Sequence, residues 1–101
     1  MRTAGVQRVY RDGRPVHGQR MVLFLAPGSG EFALVAGKKI GGAVQRNRAR
    51  RVLRAALREV APRGIEEHDV VLVAREAIRG ARTQDLINEM TELLRRGGTH
   101  A

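Results

Sequence analysis

Apolar positions follow two periods along the chain. Val6, Val9 and Tyr10 stand at helical spacing (i, i+3, i+4), and Gly13 followed by Pro15 ends the pattern, which predicts a short amphipathic helix. Met21-Val-Leu-Phe-Leu-Ala26 is a compact apolar run stopped by Pro27-Gly28-Ser29-Gly30, and Phe32-Ala-Leu-Val-Ala36 follows it. Two short apolar runs around a glycine-rich turn predict a β-hairpin. From Ala43 to Ala61 the period returns to 3.6: Ala49, Val52, Leu53, Ala56, Leu57 and Val60 form one stripe, ended by Pro62 and Gly64. Val70-Val-Leu-Val-Ala74 is a β-branched run of buried-strand type. Thr83 is the expected N-cap of a last helix with Leu86, Ile87, Met90, Leu93 and Leu94 on its inner face, stopped by Gly97-Gly98.

The predicted order is helix, strand, strand, helix, strand, helix, with a further strand near Val16 or Lys39. Helices mixed with a small sheet give an α+β fold, an α/β two-layer sandwich. No linker divides residues 1–101, so one domain is expected.

Charge sharpens this picture. Nineteen Lys and Arg against ten Asp and Glu give a net charge of +9 on 101 residues. So basic a small domain suits a polyanionic partner, nucleic acid or an anionic membrane. The absence of cysteine excludes disulfides, thiolate nucleophiles and cysteine metal sites. The apolar runs are far short of the roughly 20 residues that span a bilayer as a helix. The opening MRTAGVQRVYRDGR lacks the apolar stretch of a secretory signal, so a cytoplasmic protein is expected.

The charge is concentrated. Between Arg46 and Arg58 six arginines fall within thirteen positions. On a helix Arg46, Arg50, Arg54 and Arg58 form an i, i+4 ridge, with Arg51 and Asn47 beside it and Arg48 further round. Like charges at this spacing weaken an isolated helix by roughly 0.2–0.5 kcal/mol per pair. A sequence that accepts such repulsion repeatedly is compensated by an external anion, and the planar guanidinium binds phosphate bidentately. A solvated basic face would suit scattered Lys and Glu better than an arginine ridge holding an asparagine. Lys38 and Lys39, just before the Gly41-Gly42 turn into this helix, extend the basic surface.

Other chemistry fits poorly. Gly37 and Gly42 have Walker-like spacing, but Ala43-Val44 stand where Lys and Ser/Thr are required. Gly28-Ser29-Gly30 opens no helix and reads as a turn. Glu66-Glu67-His68-Asp69 is the only acidic cluster with a histidine, and reads as an exposed helix-to-strand loop. His17 and His100 have no evident partners. Tyr10, Phe24 and Phe32, the only aromatics, each read as core in isolation; Tyr10 and Phe24 opening onto one groove could hold a single strand.

The segment Lys38-Lys39-Ile40-Gly41-Gly42-Ala43-Val44-Gln45-Arg46-Asn47-Arg48-Ala49-Arg50-Arg51-Val52-Leu53-Arg54 resembles the protein subunit of bacterial ribonuclease P, whose pattern is K-K-x-G-x-A-V-x-R-N-x-x-K/R-R-x-x-R. Val9-Tyr10-Arg11-Asp12-Gly13 is similar to that family's first helix and turn, and His68 to Arg75 to its last strand. The resemblance implies a fold like ribosomal protein S5 domain 2, a small central sheet with three helices and a left-handed βαβ crossover. It implies a subunit, itself non-catalytic, of the endoribonuclease that removes the 5′ leader of precursor tRNA. The catalyst there is the RNA subunit, which binds most of the Mg2+. Lys38, Lys39, Arg46, Asn47, Arg48, Arg50, Arg51 and Arg54 match the RNA-contacting motif, and Tyr10 and Phe24 match aromatic positions of the leader cleft. The implied partners are the catalytic RNA and precursor tRNA, with no membrane and no obligate protein partner. Val6 stands where an aromatic is usual, and the basic arm before the first helix is expected to be short or missing. From the residues alone, the competing readings are a basic ribosomal-type or DNA-binding protein, an intrinsic nuclease and a membrane-surface binder.

Overall fold

The computed structural model describes residues 1–99; His100 lies outside the described residues. Helix α1 (Thr3–Asp12) leads into strands β1 (Arg14–His17), β2 (Met21–Pro27) and β3 (Phe32–Val35). Helix α2 (Ala43–Val60), strand β4 (His68–Ala74) and helix α3 (Thr83–Arg96) complete the order, with 3-10 turns at Lys38–Ile40 and Glu76–Ile78. The four strands form one mixed sheet ordered β1-β2-β4-β3, in which only β3 and β4 run parallel. The extra strand lies near Val16, whereas Lys38–Ile40 is a 3-10 turn.

The predicted hairpin between the second and third strands does not form. Strand β4 lies between them, and β2 takes its hairpin partner from β1. Apolar β4 is buried at five of its seven positions and needs a strand on each side, a demand no local pattern reveals. The Pro27–Glu31 segment therefore crosses the start of β4. Asp69 Oδ1 holds it by accepting from the Ser29 and Glu31 amides, each at 3.0 Å. Gly28 passes so close to this carboxylate that a Cβ would fall 2.2 Å from it.

Helices α2 and α3 cover one face of the sheet. Leu53 and Leu57 of α2 and Leu86, Met90, Leu93 and Leu94 of α3 close the main core with Met21, Leu23, Leu25, Val70 and Leu72. The stripe read from the sequence is this inner face. Helix α1 lies against the other face, where Val9 joins Ala26 and Val71 in a second, smaller cluster. The N-cap of α3 is Arg82 rather than Thr83, and its amide donates to Asp85 Oδ2 at 2.9 Å. An acid in the first turn thus does the capping that a hydroxyl was expected to do.

Candidate nucleic-acid interface

The Lys38–Ile40 turn hangs from Ile40, which is buried, while Lys38 and Lys39 are exposed. Gly41 follows at φ 132°, a conformation that side-chain-bearing residues rarely adopt, and it turns the chain into α2. Helix α2 begins without a side-chain cap and without an acid in its first turn. Its first backbone bond runs from the Arg46 amide to the Gly42 carbonyl at 3.0 Å, so the Ala43, Val44 and Gln45 amides have no acceptor within the helix. Two lysines and a helix N-terminus therefore concentrate positive potential at one spot.

The arginines of α2 divide by environment. Arg46 is half-buried, and its Nε is the one buried side-chain nitrogen or oxygen without a hydrogen-bond partner among the described residues. Arg50 donates through Nη2 to Asn47 Oδ1 at 2.6 Å, which orients both side chains one turn apart. Arg51 and Arg54 are exposed. None of the six arginines from Arg46 to Arg58 pairs with a carboxylate among the described residues. Arg48 differs from the rest: it donates through Nη2 to the Ala81 carbonyl at 2.8 Å and ties α2 to the loop before α3.

The two aromatics also come together. Tyr10 of α1 and Phe24 of β2 meet edge to face, with centroids 4.9 Å apart and planes at 67°. Burial pushes the Tyr10 phenol above its ordinary value, so it is neutral at physiological pH. Strand register places Phe24, Val71 and Ala33 in one row and Val22, Val73 and Val35 in the next. This is the sheet face that α1 covers only in part, and Phe24, Ala33, Val35 and Val73 remain half-buried. Val35 and Val73 also line a cleft with Gln19, Lys38 and Arg75, so the valines of this face reach the lysine turn.

The acidic cluster read as a loop is split by the fold. Glu66 and Glu67 are exposed, whereas His68 and Asp69 belong to β4 and Asp69 is 3% exposed. No group of three or more His, Asp or Glu suited to a metal occurs among the described residues. Sequence reasoning missed Arg8, which pairs with Asp69, and Arg75, which donates to the Gly18 carbonyl at 2.9 Å beside the cleft. Arg75 carries a usable signal, a cation directly after a buried strand. The Arg8 pairing spans 61 positions and carries none.

A basic helix on one side of a small α+β sheet, with a half-buried aromatic pair on the other face, is the arrangement of a nucleic-acid-binding protein. Comparison with known proteins narrows the class. The sequence profile of the family described as Ribonuclease P matches residues 2–98. The ribonuclease P protein component of Syntrophomonas wolfei is 31% identical, over 94% of this chain and 82% of its own length. That of Symbiobacterium thermophilum is 35% identical, over 91% and 84%. Among solved structures, the RNase P protein of Staphylococcus aureus superposes with a TM-score of 0.83 at 23% identity, covering 100% of this chain and 95% of its own. The protein from Thermotoga maritima gives 0.79 at 17% identity, covering 95% and 94%. The chain belongs to the ribonuclease P protein family and is a subunit of the enzyme that processes the 5′ end of tRNA.

Proposed function

We propose that residues 1–101 form one RNA-binding domain that uses two surfaces for two RNAs. The helix surface, Lys38, Lys39, Arg46, Asn47, Arg48, Arg50, Arg51 and Arg54, holds the catalytic RNA. The sheet surface around Tyr10 and Phe24 holds the single-stranded leader of precursor tRNA. The observation that carries the first assignment is the unpartnered, buried Nε of Arg46. A buried polar atom without a partner costs about 1–3 kcal/mol, and a phosphate oxygen of the catalytic RNA removes that cost. Within this set Arg48 acts chiefly by fixing α2 against the Ala81 loop, since its guanidinium already has an acceptor.

The second assignment rests on the half-buried Tyr10–Phe24 pair and the valines beside it. A groove with a few stacking faces and basic ends binds a strand through its π-faces and phosphates with little sequence preference. Chemistry belongs to the catalytic RNA with its bound Mg2+, and the polypeptide supplies positioning and charge. With +9 of charge, it offsets repulsion between two RNAs and so lowers the magnesium they need. The setting we infer is the cytoplasm; no helix among the described residues is long and apolar enough to cross a membrane. A groove-reading DNA-binding protein fits less well, because a strand and a 3-10 turn precede α2, where a helix-turn-helix has a helix.

The test is cleavage of precursor tRNA at low magnesium by the catalytic RNA alone, the protein alone and both together. Cleavage at the mature 5′ end only in the mixture is expected. Cleavage by the protein alone overturns the division of labour.

A further inference from the structure

Phe32, the first residue of β3, is one of two large apolar side chains that stand exposed among the described residues. It borders a cleft between β3 and the C-terminal half of α2, closed below by the turn from Ala61 to Ile65. Leu57, Ile65 and Val70 are buried and give this cleft an apolar floor. Arg54, Arg58 and Arg63 stand exposed around it together with Glu31, and neither Glu31 nor any other carboxylate pairs with these arginines among the described residues.

The cleft is separate from both surfaces assigned above. Phe32 lies opposite Val70, on the sheet face that meets α2, whereas Phe24 lies opposite Val71 on the other face. Arg58 is twelve residues beyond Arg46, or about 18 Å along the helix axis. Only Arg54 is common to this cleft and the helix surface.

We propose that this cleft is a third RNA contact that takes one unpaired nucleotide, its base stacked on Phe32 and its flanking phosphates on Arg54, Arg58 and Arg63. The inference rests on the ribonuclease P reading. An exposed aromatic face among three unpaired guanidinium groups matches a nucleotide in both parts: the ring offers stacking, and the planar forks donate to phosphate oxygens. The nucleotide comes from the catalytic RNA or from precursor tRNA, and binding measurements distinguish the two.

Phe32→Leu keeps an apolar side chain over Val70 but removes the π-face; Phe32→Trp restores it. Affinity of the full chain for the catalytic RNA forms one arm, and affinity of the assembled holoenzyme for precursor tRNA the other. Phe32→Leu should lose about fivefold to tenfold in one arm while Phe32→Trp retains wild-type binding there. The arm affected identifies the source of the nucleotide. Arg63→Gln, on the exposed rim, should lower the salt slope by about one in the same arm, and it carries the test where Phe32→Leu melts early. Wild-type affinity and slope for these variants, with Arg46→Ala still losing catalytic-RNA binding, would overturn the cleft and leave the subunit reading standing. Failure of Arg46→Ala to lose binding would count against the subunit reading itself.

Discussion

Arg8 of α1 and Asp69 of β4 form an ion pair across the smaller core cluster, and the same carboxylate accepts two amides from the segment that links β2 to β3. One side chain thus fixes both the helix that carries Tyr10 and the crossing that puts β4 in the centre of the sheet. Arg8 also donates to the Pro27 carbonyl at 3.1 Å, which closes the cluster.

Asp69→Ala should therefore destabilise the protein by about 3 kcal/mol, because it leaves two amides without their acceptor and Arg8 without its carboxylate. Arg8→Ala should cost about 1 kcal/mol, since Arg8 is 35% exposed and the carboxylate keeps both amides. Urea unfolding of the two variants measures the difference. Equal losses would show that the ion pair, not the amide contacts, is the principal tie.

The arginines of α2 should separate into two kinds. Arg46→Ala and Arg50→Ala should weaken binding to the catalytic RNA and each lower the salt slope by about one, as lost phosphate contacts do. Arg48→Ala should instead lower stability by about 1 kcal/mol through the lost Ala81 bond. Binding titrations over a range of salt, paired with melting curves, resolve the two behaviours. An unchanged slope for both Arg46→Ala and Arg50→Ala would remove the helix assignment.

Tyr10→Ala should leave catalytic-RNA binding intact and reduce the preference of the holoenzyme for precursor over mature tRNA. Loss of one stacking face corresponds to roughly 1–3 kcal/mol of leader binding. Tyr10→Phe keeps the ring against Phe24 and should keep the preference. Equal weakening for both substrates in a competition assay would argue against a leader cleft here.

Alkaline titration gives a further test with a defined sign. Burial favours the neutral phenol of Tyr10, so its folded value lies above the unfolded one. Stability should be unaffected by this group below the ordinary phenol range near 10, and should fall as pH rises through the folded value. Unfolding midpoints from pH 9 to 11 should drop less for Tyr10→Phe than for the native chain. Parallel curves would mean that Tyr10 contributes nothing to alkaline unfolding.

Gly41→Ala tests the entry into α2. At φ 132° an added Cβ is strained by about 1–3 kcal/mol, and relief of that strain would move the Lys38–Ile40 turn relative to Arg46. Reduced catalytic-RNA affinity with an unchanged salt slope is the expected pattern, because the charges remain and their geometry changes. A reduced slope would instead mean that the turn detaches.

Much of this protein was determined by sequence alone, for a physical reason. Helix α2, its apolar stripe and its arginine ridge depend on the 3.6-residue period, which is local, and so does the inner face of α3. The Lys38 to Arg54 motif is contiguous, so the family resemblance was equally legible. Tertiary structure decided the rest. Apolar runs marked β2 and β3 as strands but carried no information about pairing, and insertion of β4 between them follows from burial on both its sides. Asp69 looked like one acid among several exposed ones until β4 was placed in the centre of the sheet. Arg48 was indistinguishable from its neighbours until the Ala81 carbonyl came within reach. Tyr10 could be seen to face Phe24 only after α1 had crossed the open side of the sheet. Residues on one element share a face through backbone geometry, whereas contacts between distant elements arise only when the whole core packs.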